Sequence, residues 1–278
     1  MGTGECGLKS LIVTADDFGA ATAVNEAVET AFREGILTAT SLMIAAPAAG
    51  DAVQRARSLP GLGIGLHIVV VRGKSILPVT DIPAIADHND QFDSNLVRAG
   101  FRYFFSPAAR RQLRAEIRAQ FDAFVQTGLP LDHVNAHNHM HLHPTVLSLI
   151  LEIGRDYGMR AMRLPYEPAS GIGALFLKPW IWLTRQRLRR AGIRHNDFLL
   201  GLTATGSMDK DKMIAALANL PDGVSEIMTH PAIGDWDDSE PEAAGYRFAD
   251  ELAALIDPTV RDAAEQSGAA RINFAGMN

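Results

Sequence analysis

Four of the nine histidines in this 278-residue chain stand at alternate positions of one short run, Val134-Asn135-Ala136-His137-Asn138-His139-Met140-His141-Leu142-His143-Pro144. In an extended backbone alternate side chains point to the same side, so a strand ending in this run presents several imidazoles to one place. Imidazole is largely uncharged near neutral pH, has a free lone pair and is the commonest metal ligand. Pro144 stops the strand and suits the first turn of a following helix. A single histidine would read better as part of an exposed edge or a satisfied packing cluster. Four at this spacing, closed by a proline, point to a metal or catalytic site.

Other residues can complete such a site. Asp16-Asp17 closes the apolar run Ser10 to Ala15. Paired aspartates at a strand end are common as caps or turns. In a strand they face opposite ways, so one can bind a metal while the other faces a substrate. His67 lies in the apolar run Gly63 to Val71, where an unsatisfied imidazole is costly. Alone it reads as a hydrogen-bonded core residue; at a strand end, one strand from an imidazole cluster, it reads as a ligand. One Asp and two His leave positions open for water and substrate. That set suits a divalent metal used as a Lewis acid, zinc especially. The second Asp can then act as general base and a distant His as general acid, which outlines metal-assisted hydrolysis of an amide or ester.

The elements that must position these groups alternate along the chain. Apolar strands are expected at Ser10 to Ala15, Leu37 to Ala45, Gly63 to Val71, the histidine run, Arg160 to Leu164, Phe198 to Leu202, Val224 to Thr229 and Arg271 to Phe274. Amphipathic helices fall between them, notably Asn25 to Glu34, Asp51 to Ser58, Ser106 to about Thr127, Thr145 to Tyr157, Lys210 to Leu220 and Phe248 to Ile256. This alternation calls for parallel βαβ units. Seven or eight of them, mostly parallel, make a TIM-like α/β barrel, distorted or incomplete, with its site at the C-terminal strand ends. Asp16, Asp17, His67, His137, Arg163 and His230 all fall there. A single domain over 1–278 is expected, with a long loop at about 72–106 and an acidic loop from Asp235 to Gly245.

The run ending in Asp16-Asp17-Phe18-Gly19, the Gly65-Leu66-His67 stretch, the histidine run and Thr229-His230-Pro231 resemble the motifs of the YdjC-like carbohydrate deacetylases. The segments VNEAVETAFREGILTATSLMIAAPAAGDAV and GIGLHIVVVRGKSILP resemble the subgroup associated with hopanoid biosynthesis. The resemblance implies removal of an acetyl group from an N-acetylglucosaminyl hopanoid to leave a free amine. It implies one divalent metal ion, zinc first and magnesium or another divalent ion as alternatives, held by Asp17, His67 and His137. Asp16 would be the general base, His230 would protonate the departing nitrogen, and Arg163, in Arg-Leu-Pro-Tyr166, would steady the base. His139 and His141 would stand beside the ligands or face substrate, and His143 is peripheral. Asn135 departs from the Asp often found there, which weakens its supporting role; Asn138 stands where relatives often carry another His.

A segment at about 167–194 supplies the substrate clue. Leu175, Phe176, Leu177, Trp180, Ile181, Trp182 and Leu183 precede Arg185, Arg187, Arg189, Arg190 and Arg194. Tryptophans beside arginines suit an interfacial helix, although a helix packed on the barrel with a basic outer face reads equally well. With Phe101 to Phe105, this segment would receive a glycolipid, with peripheral contact at the inner membrane surface. A net charge of −6 argues against a general nucleic-acid binder. One cysteine, Cys6, excludes an intrachain disulfide, and no secretory signal or spanning run is evident, so a cytoplasmic protein is expected. Rival readings are another metal-dependent amidohydrolase or phosphoesterase, or a sugar- or lipid-binding barrel with a closed structural metal site.

Overall fold

The sheet is built outward from β1 (Lys9–Phe18), ten residues of which the last eight are buried. The computed structural model describes residues 9–168, 172–234 and 243–277. After β1 come α1 (Thr22–Glu34), β2 (Ala39–Leu42), α2 (Ala49–Ala56) and β3 (Gly63–Ile68). Then α3 (Leu96–Phe105) and α4 (Pro107–Gln126) precede β4 (Val134–Ala136), α5 (Pro144–Asp156) and α6 (Ile172–Arg190). The chain closes with β5 (Phe198–Leu200), α7 (Lys210–Ala218), β6 (Gly223–Thr229), α8 (Phe248–Ile256), α9 (Pro258–Gln266) and β7 (Ala270–Arg271). Every pairing between these strands is parallel, in the order β4-β3-β2-β1-β6-β5, with β7 against the start of β1. Helices cover the outside, so β1 to β4 and most of β6 are buried on both faces and read as largely apolar runs.

The expected barrel is present and incomplete. Where a strand was expected at Arg160 to Leu164, only isolated parallel bridges occur, Val134 to Met162 and Ala161 to Arg194. These bridges, with Leu199 N donating to Tyr166 O at 2.7 Å and Asn196 bonding both backbone groups of Leu164, join β4 to the β5 side. The last strand is shorter than expected, because Phe274 turns into a 3-10 segment and stacks on the buried His133 ring, 4.0 Å between centroids.

Two further expectations fail. The histidine run is not a strand. β4 ends at Ala136, and His137–Leu142 forms a 3-10 segment interrupted by Asn138 (φ 49°) and His139 (φ 53°), both left-handed. The physical reason is the ladder: Ala136 pairs with Ile68, the last residue of β3, and among the described residues no strand pairs with the chain beyond it. Strand alternation therefore does not set the imidazoles. Likewise 72–106 is not all loop. Asn95 caps α3 by accepting from Arg98 N at 2.9 Å, and Ser106 caps α4 by accepting from Ala109 N at 3.2 Å. The irregular part is tied down by buried Glu116, which accepts from Ile76 N (2.9 Å) and Leu77 N (3.0 Å).

The 167–194 segment is mainly α6, with Pro179 inside it. Trp180 Nε1 donates to Leu142 O at 2.9 Å, and Arg187 Nη2 to Ser148 Oγ at 2.7 Å. The side chains of Leu175, Phe176 and Leu177, and the acidic loop over 235–242, lie outside the described residues. Among the described residues no helix is long and apolar enough to cross a membrane.

Candidate metal centre and cleft

β1 delivers both carboxylates. Its register with β2 slips between Ala15 and Phe18, and Asp17 adopts φ 65°. Strict alternation would send Asp16 and Asp17 to opposite faces; this bulge re-aims one of them, and both line the same cleft. His67 comes from the end of β3, and His137 is the first residue after β4.

Asp17 Oδ1, His67 Nε2 and His137 Nδ1 converge on one point. Asp17 lies 3.3 Å from His67 and 3.4 Å from His137, and the two ring nitrogens are 3.3 Å apart. A tetrahedral ion with N and O ligands at about 2.0–2.1 Å sets its ligand atoms about 3.3–3.4 Å apart. Proton positions support the same conclusion. His67 Nδ1 is 2.7 Å from Asn135 Oδ1 and 3.0 Å from Ser41 Oγ. Asn135 Nδ2 and Ser41 Oγ both donate to Asp16 Oδ1, at 3.1 Å and 2.8 Å. Asn135 Oδ1 can only accept, so His67 carries its proton on Nδ1 and turns a bare lone pair on Nε2 into the triangle. Burial drives the His67 pKa down to about 4, against the pull of Asp16 and Asp17. His137 alone can place a proton in the triangle, and it can serve only one neighbour. Lone pairs are left facing each other across about 3.3 Å, and a cation resolves that conflict. Burial would raise the Asp17 pKa, but His137, His67 and His230 hold it at about 2.

Behind the triangle is a buried charge cluster. Arg163, fully buried, donates from Nη1 to Asp16 Oδ2 at 2.5 Å and from Nη2 to Asp16 Oδ1 at 3.0 Å. Its Nε and Nη2 reach Glu226 Oε1 at 2.9 Å and 2.6 Å. Burial opposes ionisation of Asp16, yet Arg163 and the neighbouring histidines keep its carboxyl well below the usual range. Asp16, Asp17 and Glu226 against Arg163 leave two surplus negative charges. A divalent cation balances that number, and uncompensated buried charge is expensive.

The cleft above encloses about 160 Å³ and is also lined by Arg72, Asn138, His139, Leu202, Thr205, Met228, His230 and Tyr246. His230 follows β6; its backbone N–H donates to buried Glu251, and its ring lies 5.4 Å from Tyr246. His139 faces the cleft, and burial lowers its pKa to about 3. His141 is fully buried behind it, with both ring nitrogens unpartnered among the described residues. Asn135 does more than its neutral side chain suggested, bridging His67 to Asp16. Tyr166 is away from the cleft, 6.1 Å from Phe198 and beneath the Arg185 guanidinium. Trp180 and Trp182 stand outside it, on exposed α6. Ser41 and Glu226 escaped the sequence reading. Glu226 carried a signal, a charged residue inside the apolar strand GVSEIMT; Ser41 carried none.

A model of the YdjC-like protein family matches residues 10–266. A carbohydrate deacetylase of Geobacillus stearothermophilus is 32% identical over 255 residues, covering 90% of each chain. One from Mus musculus is 30% identical, covering 93% of this chain and 91% of its own. Among solved structures, an Enterococcus faecalis V583 protein proposed to cleave cellobiose phosphate is 25% identical, with a TM-score of 0.76 over 96% of this chain and 98% of that one.

Proposed function

From the premise that this chain belongs to the YdjC-like family, we propose that it is a metal-dependent deacetylase that hydrolyses the N-acetyl group of an amino sugar. The observation that carries this reading is the convergence of three lone-pair-bearing ligand atoms beside an ionised carboxylate that does not belong to the triangle. The cleft has one polar wall made of these groups, and the imidazoles of His139 and His230 also belong to its lining.

A divalent ion held by Asp17, His67 and His137 supplies Lewis acidity toward an acyl oxygen and eases deprotonation of water. The remaining work falls to the chain's own groups. Asp16 Oδ1 accepts from Ser41, Asn135 and Arg163, whereas among the described residues Oδ2 accepts only from Arg163 Nη1. Oδ2 is therefore the atom with a lone pair to take a proton from water as the water oxygen bonds to the acetyl carbon. Arg163, locked by Glu226, keeps Asp16 ionised and ready, and makes it release the proton readily. His230, whose main chain is anchored by Glu251, gives a proton to the sugar nitrogen as the C–N bond breaks. Acetate and a free amine result.

The finer substrate reading is an N-acetylglucosaminyl lipid, a hopanoid in the narrowest form, met at a membrane surface. Seven of the nine large apolar side chains that are exposed among the described residues lie on α3 and α6: Val97, Phe101, Phe104, Phe105, Trp180, Trp182 and Leu183. Both helices border the segment that follows His137. The Phe104 ring is 6.3 Å from His143, and Trp180 donates to Leu142 O. Apolar surface on two helices that touch the end of the histidine run supports a substrate with an apolar tail.

The test is acetate release from an N-acetylglucosaminide after chelation and add-back of single metals. Chelation removes turnover and one divalent ion restores it. Asp16→Asn keeps the metal and loses turnover, whereas His137→Ala loses both. Full turnover in Asp16→Asn would remove it as the base.

A further inference from the structure

Charge is spread unevenly over this chain. The whole carries a net −6, whereas α3, α4, α5 and α6 together hold twelve Arg and Lys against four Asp and Glu, a local +8. Asymmetry of that size within one chain points to an anionic partner for the basic part. Some of the surplus is neutralised: Asp93 pairs with Arg98 and Arg102, and Asp156 with Arg118. The cations between α4 and α5 are not.

A groove of about 480 Å³ lies there, lined by Arg110, Arg111 and Arg114 of α4 and by Ser148 and Glu152 of α5, with Phe104 of α3 also in its lining. No residue lines both this groove and the metal cleft. Glu152 pairs with Arg114, and among the described residues no carboxylate pairs with Arg110 or Arg111. Arg110 Nε donates to Tyr103 O at 3.2 Å, and its guanidinium stands 5.8 Å from the centre of the Phe104 ring. These contacts fix the guanidinium and leave its two terminal nitrogens free to meet another acceptor. In the first turn of α4 it also opposes the helix dipole, so it does nothing for that helix. From α6, Arg187 reaches the same groove, donating to Ser148 Oγ at 2.7 Å and to Pro144 O at 3.3 Å. Apolar surface adjoins it. Phe104 is exposed, its ring is 4.9 Å from that of Phe105, and the Phe105 ring is 5.9 Å from that of Phe101, both of them exposed as well.

We propose that this groove binds the phosphate of an anionic phospholipid through Arg110 and Arg111, and docks the protein on a bilayer with the phenyl rings of α3 in the acyl region. A soluble anion would meet the arginines and leave the three rings in water; a bilayer meets both. The overall charge of −6 repels an anionic surface, but at about 0.1 M salt charges farther than about 10 Å from that surface are screened. The charges that face the lipid therefore decide, and each arginine near an anionic surface is worth about fivefold in binding. This docking goes beyond deacetylation and can fail without it.

The experiment is co-flotation of the full chain with vesicles of phosphatidylcholine, alone or with about one-third phosphatidylglycerol, at about 0.1 M salt. Wild type binds the anionic vesicles about tenfold or more better than the neutral ones. Arg110→Gln with Arg111→Gln weakens binding to the anionic vesicles about 25-fold, with an unchanged thermal midpoint because both side chains are exposed. Arg33→Gln with Arg271→Gln, the same change of charge on α1 and β7, stays within about threefold of wild type. No preference for anionic vesicles in wild type, or equal losses in the two double variants, overturns the docking. Inorganic phosphate bound by wild type and lost in Arg110→Gln with Arg111→Gln, without any binding to vesicles, assigns the groove to a soluble anion and overturns it as well. Vesicle binding needs neither metal nor turnover, so failure of the deacetylase reading leaves this result standing.

Discussion

His67 can act as a ligand only if its proton stays on Nδ1, and two side chains keep it there. Asn135 Oδ1 is 2.7 Å from that nitrogen and Ser41 Oγ is 3.0 Å away. Outer partners of a ligating histidine are worth about 10- to 100-fold in metal affinity. Asn135→Ala leaves Ser41 as an alternative acceptor, so the expected loss is at the low end, about tenfold or about 1.4 kcal/mol. Ser41→Ala alone leaves the shorter bond intact and costs less. The double variant strands a buried N–H, adding about 1–3 kcal/mol; the combined loss is then about 100-fold or more, larger than the product of the single losses. Competition titration of zinc against a chromophoric chelator reads these values, with chemical denaturation confirming that each variant is folded. The same substitutions remove donors from Asp16, but Arg163 still clamps both of its oxygens. If the two residues served Asp16 alone, turnover would fall with zinc affinity unchanged. A double variant that binds zinc within about twofold of wild type refutes the reasoning.

Two other outcomes follow from the cluster and from the exposed helices. Asp17 has a folded pKa of about 2 against its usual 3.8. The metal-free protein therefore holds that stabilisation, on the order of 2 kcal/mol, above pH about 4 and loses it as pH falls through about 2. Asp17→Asn shows a smaller drop between pH 6 and pH 3 in denaturation midpoints taken with chelator present, and an unchanged drop contradicts the assignment. Combined Phe101→Ser, Phe105→Ser and Trp182→Ser leaves stability within about 1.5 kcal/mol, about 0.5 for each exposed side chain. It also lowers activity on a vesicle-borne N-acetylglucosaminyl lipid about tenfold or more while sparing a soluble N-acetylglucosaminide; equal losses on both substrates count against the lipid reading.

Much of the molecule was legible in the sequence, because two kinds of information are local. Apolar runs of four to eight residues alternating with amphipathic segments specify parallel strands buried between helices, and polar residues at their C-terminal ends mark where a barrel places its site. Asp16, Asp17, His67, His137 and His230 were found in that way, and the cleft brings all five together.

The histidine run shows where local information stops. Its alternation predicts a strand, but a strand needs a partner, and the pairing with β3 runs out at Ala136. The run then folds into a left-handed turn, which leaves His137 in the triangle, His139 in the cleft wall and His141 buried behind them. Asp17 reaches the site through a bulge that no pattern in β1 announces. Ser41, Asn135 and Glu226 acquire their roles only from partners 25 to 119 residues away or on neighbouring strands. The sequence by itself determined which residue types could bind a metal and which strand ends would carry them. The tertiary structure decided which lone pairs converge, because ligand geometry is set by hydrogen bonds between strands that are distant in the chain.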